Sequence, residues 1–185
     1  MNKNVYHSSY TSDLKILEPA SAVHGIPYLY AAKDPVISIV FMTNKKNNRG
    51  DLSYWKGRNP ETGKVAIVER YPGAFKDLYD GVSGSIYTLS GDTFMENKTQ
   101  WNEEVVSETA VQILEETKIE NIFDYLKKLK QNDELEIYEY PSRPKCVPTN
   151  DRDLIIHAIR YRKMETLEKL YPKLFKKVQD FLESE

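Results

Sequence analysis

The chain has 185 residues, a formal net charge of −2 and one cysteine. The length allows one domain with a sizeable core, and the near-neutral charge excludes a global basic field that would recruit nucleic acid or anionic lipid. An intramolecular disulfide is excluded, no run approaches the roughly 20 apolar residues that cross a bilayer, and residues 1–15 lack a secretory apolar stretch. We therefore expect one soluble, cytoplasmic domain that does not enter a membrane.

The first predicted strand covers residues 4–8 and leads into the triplet His7, Ser8 and Ser9. Two strand-favouring residues precede the histidine, and the two small hydroxyl residues leave room for a ligand to approach the backbone and the imidazole together. A lone histidine is more often a structural or surface residue than a ligand-binding one. The triplet therefore gains weight only if later segments of the chain supply partners for it.

A second strand is predicted at residues 28–32, followed by a short apolar helix at 36–42. Asp34 stands where an N-cap residue belongs. Pro35 suits the first helical turn, where its missing N–H costs nothing. The strand thus runs directly into a helix.

The middle of the chain alternates between loop and regular structure. Residues 44–63 are polar, with three glycines and one proline, and predict a long loop that is mobile without ligand and anchored at most by Trp55. Strands are predicted at residues 64–71 and 83–90, with a short helix at 72–80 between them. Together with the other predicted strands, these elements suggest a mixed sheet.

Two adjacent carboxylates, Glu103 and Glu104, open a further predicted strand that extends to residue 113. Successive side chains of a strand point to opposite faces, so only one of the two enters a given cleft. After residue 117 the pattern becomes mainly helical. It predicts a helix to residue 130, a strand at 135–140, a proline-rich connection, and a long helix from residue 152 that breaks at Pro172.

In chain order these segments supply a histidine, a tyrosine and a glutamate, and the chain resembles the ADP-ribosyltransferases of the His-Tyr-Glu type, which include the poly(ADP-ribose) polymerases. In that family the strand with the tyrosine enters a helix that carries a serine eight residues later and an aromatic residue eleven residues later. Ser38 and Phe41 hold those spacings after Tyr30. The family also has a glutamine eight residues beyond its glutamate. Gln112 holds that spacing from Glu104 and not from Glu103.

The resemblance covers residues 4–113. It implies an α+β fold, with a mixed or antiparallel ADP-ribosyltransferase-like β core and peripheral helices at residues 1–116 and a mainly helical annex at 117–185. Ser8 is expected at the cofactor site but replaces a glycine of the family, and Ala31 replaces a phenylalanine or serine. By this resemblance, the Cβ of Ser8 would lie where the family makes two backbone hydrogen bonds to the nicotinamide carboxamide, which argues against tight cofactor binding and not against the fold.

The resemblance also assigns roles, with NAD as the substrate and no metal. His7 would bind a ribose hydroxyl, Tyr30 and Phe41 would enclose the nicotinamide ring, and Ser38 would hold its carboxamide. Glu104 would bind the 2′-hydroxyl of the other ribose and stabilise the positive charge that develops when the glycosidic bond breaks. Taken singly, Tyr30 and Phe41 are more often core aromatics, and Ser38 could bond back to its own helix.

The leading hypothesis is an NAD-dependent ADP-ribosyltransferase that transfers ADP-ribose to an unknown protein or nucleic-acid acceptor and releases nicotinamide. Residues 92–101 would face the acceptor, with Trp101 as a platform. Asn102 stands where arginine-modifying relatives have a glutamate or glutamine. The alternative is a non-catalytic nucleotide- or protein-binding module, which Ser8 supports. Transfer of an RNA 2′-phosphate onto NAD would need converging basic residues, of which the N-terminal half shows no obvious set.

Other chemistries have weaker support. His7, His24 and His157 are not at metal-ligand spacing, and no dense carboxylate cluster accompanies them. Residues 81–85 are glycine-rich but lack the lysine of a phosphate-binding loop and precede a strand. Cys146 lies near prolines with no sign of activation.

Overall fold

The computed structural model describes residues 4–21, 27–44, 54–99 and 101–184. They form two compact units, one from the described residues of Met1–Asn44 and Tyr79–Leu135 and the other from those of Lys45–Leu78 and Glu136–Glu185. The boundary predicted at residue 116 falls inside a strand. The first unit continues past residue 116 to Leu135, and the second unit is formed by two separate parts of the chain.

The described elements are both helices and strands, which confirms an α+β protein. In chain order they are β1 (Asn4–Ser9), β2 (Ile16–Leu17), β3 (Ala20–Ser21), β4 (Pro27–Ala32), α1 (Pro35–Ile39), β5 (Tyr54–Arg58), β6 (Val65–Glu69), α2 (Ala74–Tyr79), β7 (Gly84–Ser90), β8 (Glu104–Ser107), β9 (Val111–Ile119), α3 (Ile122–Gln131), β10 (Leu135–Tyr138), α4 (Arg152–Tyr161), α5 (Met164–Leu170) and α6 (Pro172–Ser184). None of the helices in these described ranges is long and apolar enough to cross a membrane.

The first unit is built on a seven-stranded sheet with the order β2-β9-β7-β1-β4-β3, and β8 also pairs with β4. Its registered pairs are antiparallel. Alternate residues of the strands supply one buried face, as a period of two requires. That core includes Val5, Leu29, Ala31, Leu89 and Val105.

The junction of β4 and α1 forms as its sequence predicts. The Asp34 carboxylate accepts a hydrogen bond of 2.8 Å from the backbone N–H of Val36, and Pro35 is the first helical residue. The helix ends at Ile39, short of the predicted residue 42. Its buried face includes Ile37 and Ile39, which have no exposed surface.

Strands β1 and β4 separate soon after they meet. Within the described parts of both strands, the register consists of one antiparallel pair, Tyr6 with Ala32. Each strand keeps a continuous partner on its other side, with β7 beside β1 and β8 beside β4. The facing edges of β1 and β4 are thus open to side chains and to a ligand.

Two predictions for the middle of the chain are corrected. The single strand predicted to residue 113 is divided, because the hydroxyl of Ser107 accepts from the N–H of Thr109 in a tight turn between β8 and β9. The loop predicted at 44–63 contains β5, while residues 45–53 lie outside the described residues. Trp55 lies on β5 opposite Val68, and its ring covers Gly57, where a Cβ would lie 2.9 Å from the indole.

The second unit has a three-stranded sheet, β10-β6-β5, and the helices α4 to α6. The helix predicted from residue 152 breaks once more than expected, at residues 162–163, as well as before Pro172. Asp151 precedes α4, as a cap would, but its side chain makes no capping bond. Its carboxylate instead accepts from Arg143 at 2.7 Å and Lys177 at 2.6 Å.

Candidate functional site

A cavity of about 160 Å³ lies where β1 and β4 separate, bordered by α1 and by the start of β8. The structure brings all six residues of the predicted site to its walls: His7, Ser8, Tyr30, Ser38, Phe41 and Glu104. Tyr6, Ile37 and Trp101 also line it. Pockets for drug-sized ligands begin at about 300 Å³. This cavity therefore suits one ring-sized group, and the rest of a larger ligand would extend along the surface.

His7 spans the gap between the two separating strands. Its Nδ1 lies 2.8 Å from the carbonyl oxygen of Tyr30. A carbonyl only accepts, so Nδ1 carries the proton, and the neutral ring keeps Nε2 as an acceptor. Burial lowers the pKa of His7 below its ordinary value, although the bond to Tyr30 opposes the shift. The imidazole is therefore neutral at pH 7 and suited to accept a hydrogen bond from a hydroxyl.

Ser8 and Ser38 form a hydroxyl pair on the wall of the cavity. Their Oγ atoms are 2.5 Å apart, and either one can be the donor. Ser38 is nearly buried on α1, and its hydroxyl reaches across to β1. The expected alternative, a bond from Ser38 back to its own helix, is not the contact found for this hydroxyl.

Tyr30 and Glu104 lie near each other on one face of the sheet. In the register of β4 with β8, Ala32 is opposite Glu104 and Tyr30 is opposite Val106, so Tyr30 and Glu104 are diagonal neighbours. Burial raises the pKa of Tyr30, and the charge of Glu104 adds to the effect. Among the described residues, no group bonds the buried phenol oxygen of Tyr30. A polar ligand atom would satisfy it.

Phe41 and Trp101 form an aromatic edge to the cavity. Their ring centroids are 5.2 Å apart, and their planes meet at 67°. Phe41 is 44% exposed, so this ring is not a core aromatic. The contact joins residues sixty positions apart, for which the sequence carries no pairing signal.

The two adjacent glutamates differ in position. Glu104 lines the cavity, whereas Glu103 is not among its lining residues. The backbone carbonyl of Glu103 accepts from the N–H of Lys33, which fixes the start of β8 against the end of β4. Gln112, which supported the choice of Glu104, lies on β9, where it pairs with Ile16 of β2, and it does not line the cavity.

The structure adds no support for a metal site or a phosphate-binding loop among the described residues. Within the described ranges, no three histidine, cysteine or acidic side chains gather as a metal site. His157 packs against Tyr161 on α4, and His24 lies outside the described residues. In the glycine-rich segment at residues 81–85, the hydroxyl of Ser85 donates a hydrogen bond of 2.6 Å to the carboxylate of Glu116. This hydroxyl therefore has a structural role.

Comparison with known proteins adds no relative. No family model matches the chain, and neither the curated proteins nor the solved structures include a significant match. The chemistry of this site is therefore argued from its own residues.

Proposed function

We propose that this chain is an NAD-dependent ADP-ribosyltransferase that releases nicotinamide and transfers ADP-ribose to a protein or nucleic-acid acceptor. One observation carries the proposal: the residues selected by the His-Tyr-Glu resemblance, which come from β1, β4, α1, the turn after α1 and β8, line one ring-sized cavity. Nothing in the spacing of these residues requires them to meet. Their meeting supports a shared role.

The proposed reaction breaks the bond between the nicotinamide nitrogen and C1′ of its ribose. The electron pair leaves with nicotinamide, C1′ gains positive charge, and the acceptor forms the new bond and loses a proton. Tyr30 and Phe41 hold the ring, and Glu104 stabilises the cation as its anionic carboxylate. His7 accepts a hydrogen bond from a ribose hydroxyl through Nε2.

The second candidate is a non-catalytic nucleotide- or protein-binding module. The Cβ of Ser8, beside a cavity of only about 160 Å³, favours it. Both candidates use the same cavity, and they differ in turnover. A cytoplasmic location belongs to the leading proposal and rests on the single, unpaired cysteine.

Calorimetric titration with NAD, followed by mass spectrometry of released nicotinamide, tests the proposal. An ADP-ribosyltransferase binds NAD and releases nicotinamide, with water as acceptor when no other is supplied. Binding without release over many hours selects the non-catalytic candidate. If the protein does not bind NAD, both the ADP-ribosyltransferase and a non-catalytic NAD-binding module are overturned.

A further inference from the structure

The substitution at position 8 has a chemical consequence of its own. Ser8 adds a hydroxyl that lies 2.5 Å from the hydroxyl of Ser38, on the wall of the candidate site. This contact places the Ser8 side chain against α1. The side chain is thus a polar partner of Ser38 as well as an added volume.

Two hydroxyls in contact behave as a short chain with two different ends. One hydrogen lies between the oxygens, and the second hydrogen remains available to donate to a ligand. The hydroxyl that donates within the pair keeps its lone pairs and accepts from a ligand. Because either serine can take either role, the pair offers one donor and one acceptor side by side.

A neutral carboxamide matches these two ends, whereas a carboxylate does not. The carboxamide presents one carbonyl acceptor and one NH₂ donor, but a carboxylate presents two acceptors. The described lining residues include no lysine or arginine, and Glu104 adds a negative charge. His7 is neutral. An anion therefore meets repulsion here and has no compensating cation.

We infer that Ser8 is a specificity-determining residue, which acts with Ser38 to select a neutral carboxamide over the corresponding carboxylate. The inference rests on the proposed function, because it places the nicotinamide group at this wall. It reverses the expectation drawn from the resemblance. The glycine of the family, restored at position 8, weakens carboxamide binding.

The test measures dissociation constants for nicotinamide and nicotinate by ligand-observed NMR. Ser8→Gly and Ser8→Ala should each weaken nicotinamide binding about three- to tenfold, as loss of one hydrogen bond predicts, and should lower the preference over nicotinate. Ser8→Ala combined with Ser38→Ala should cost little more than either change alone, because the pair acts as a unit. A merely structural role would weaken both ligands equally.

Ser8→Thr keeps the hydroxyl and should retain the preference, which guards against variants that fail to fold. Tighter nicotinamide binding in Ser8→Gly, or an unchanged preference, overturns the inference while NAD turnover by the wild type leaves the proposed function standing. If the preference for nicotinamide depends on Ser8 but NAD releases no nicotinamide, the inference stands and the proposed catalytic function is overturned. A wild-type protein that binds neither nicotinamide nor NAD overturns both.

Discussion

Nδ1 of His7 donates a hydrogen bond to the carbonyl oxygen of Tyr30 across the gap between β1 and β4. The carbonyl lies on the edge of β4 that faces β1, and within the described residues the two strands are in register only at Tyr6 and Ala32. A side chain from the opposite edge thus satisfies it, which holds the two strands at a fixed separation. The same bond fixes the tautomer of the imidazole, so one contact sets both the shape and the chemistry of the cavity.

The first prediction concerns the adjacent glutamates. Glu104→Gln keeps the shape but removes the charge beside Tyr30, so it should lower nicotinamide release by about 10²-fold or more while NAD affinity falls less. Glu103→Gln is the matched control, one residue away and outside the cavity, and should stay close to the wild-type rate. Single-turnover assays measure both, and equal losses in the two variants would contradict the assignment.

The second prediction concerns pH. Burial lowers the folded-state pKa of His7 below 6.5, so the unfolded chain binds more protons between the two values. The contribution of His7 to the free energy of unfolding is fully present above pH 6.5 and is lost as the pH falls through the folded pKa. Urea unfolding at pH 8 and pH 5 should show that His7→Gln loses less free energy of unfolding between these two pH values than the wild type does. An equal loss in the two proteins would contradict this account of His7.

The third prediction separates the half-buried Tyr30, whose phenol oxygen is buried, from the fully buried Tyr87. Tyr30→Phe removes a phenol oxygen that no described residue bonds, so stability should not fall and should rise by up to about 1 kcal/mol. Tyr87→Phe removes a donor to the carbonyl of Thr11 at 2.8 Å and should cost about 1–3 kcal/mol. Thermal and urea unfolding measure both. Equal destabilisation would mean that the Tyr30 hydroxyl has a structural partner.

The fourth prediction tests how closely β7 approaches β1. A Cβ on Gly84 would lie 2.5 Å from the carbonyl oxygen of Ser9, which is backbone and cannot turn aside. Gly84→Ala should therefore destabilise the protein by about 1–3 kcal/mol and weaken nicotinamide binding through displacement of the end of β1. Ser83→Ala, at the exposed neighbouring position, should change stability by less than about 0.5 kcal/mol.

The fifth prediction concerns the second unit. Arg70, with a side chain only 1% exposed, bonds to Asp151 at 3.0 Å and to Asp153 at 2.7 Å. Asp151→Asn removes a nearly buried charge that also pairs with Arg143 and Lys177, and should cost about 3 kcal/mol. The more exposed Asp153→Asn should cost less. Chemical denaturation ranks the two variants, and the reverse order would contradict this account of the cluster.

The same carboxylate should govern part of the acid response. Burial raises the pKa of Asp151, but the hydrogen bonds from Lys177 and Arg143 outweigh burial and hold the pKa below its usual range. Its contribution to stability is therefore present above the unfolded-state value and is lost as the pH falls through the folded one. Wild type and Asp151→Asn should converge in stability at low pH.

Elements governed by neighbouring residues were predictable from the sequence. The cap at Asp34 and Pro35 forms because each partner lies within two residues, and most strands of the first unit follow from alternation of apolar and polar residues. Prediction failed where pairing overrode local composition. A polar, glycine-containing segment became β5 because the buried strand β6 offered it a partner, and Trp55 covers its glycine.

The α+β class, the start of α1 and a candidate set of site residues follow from the amino-acid sequence alone. Tertiary structure decided that these residues share a cavity, that Glu104 lines it, and that Ser8 bonds Ser38. The reason is physical: caps and alternation act over a few residues, whereas these contacts join β1, β4, α1 and β8 across tens of residues. Strand order and the separation of β1 from β4 bring them together, and neither is encoded in local spacing.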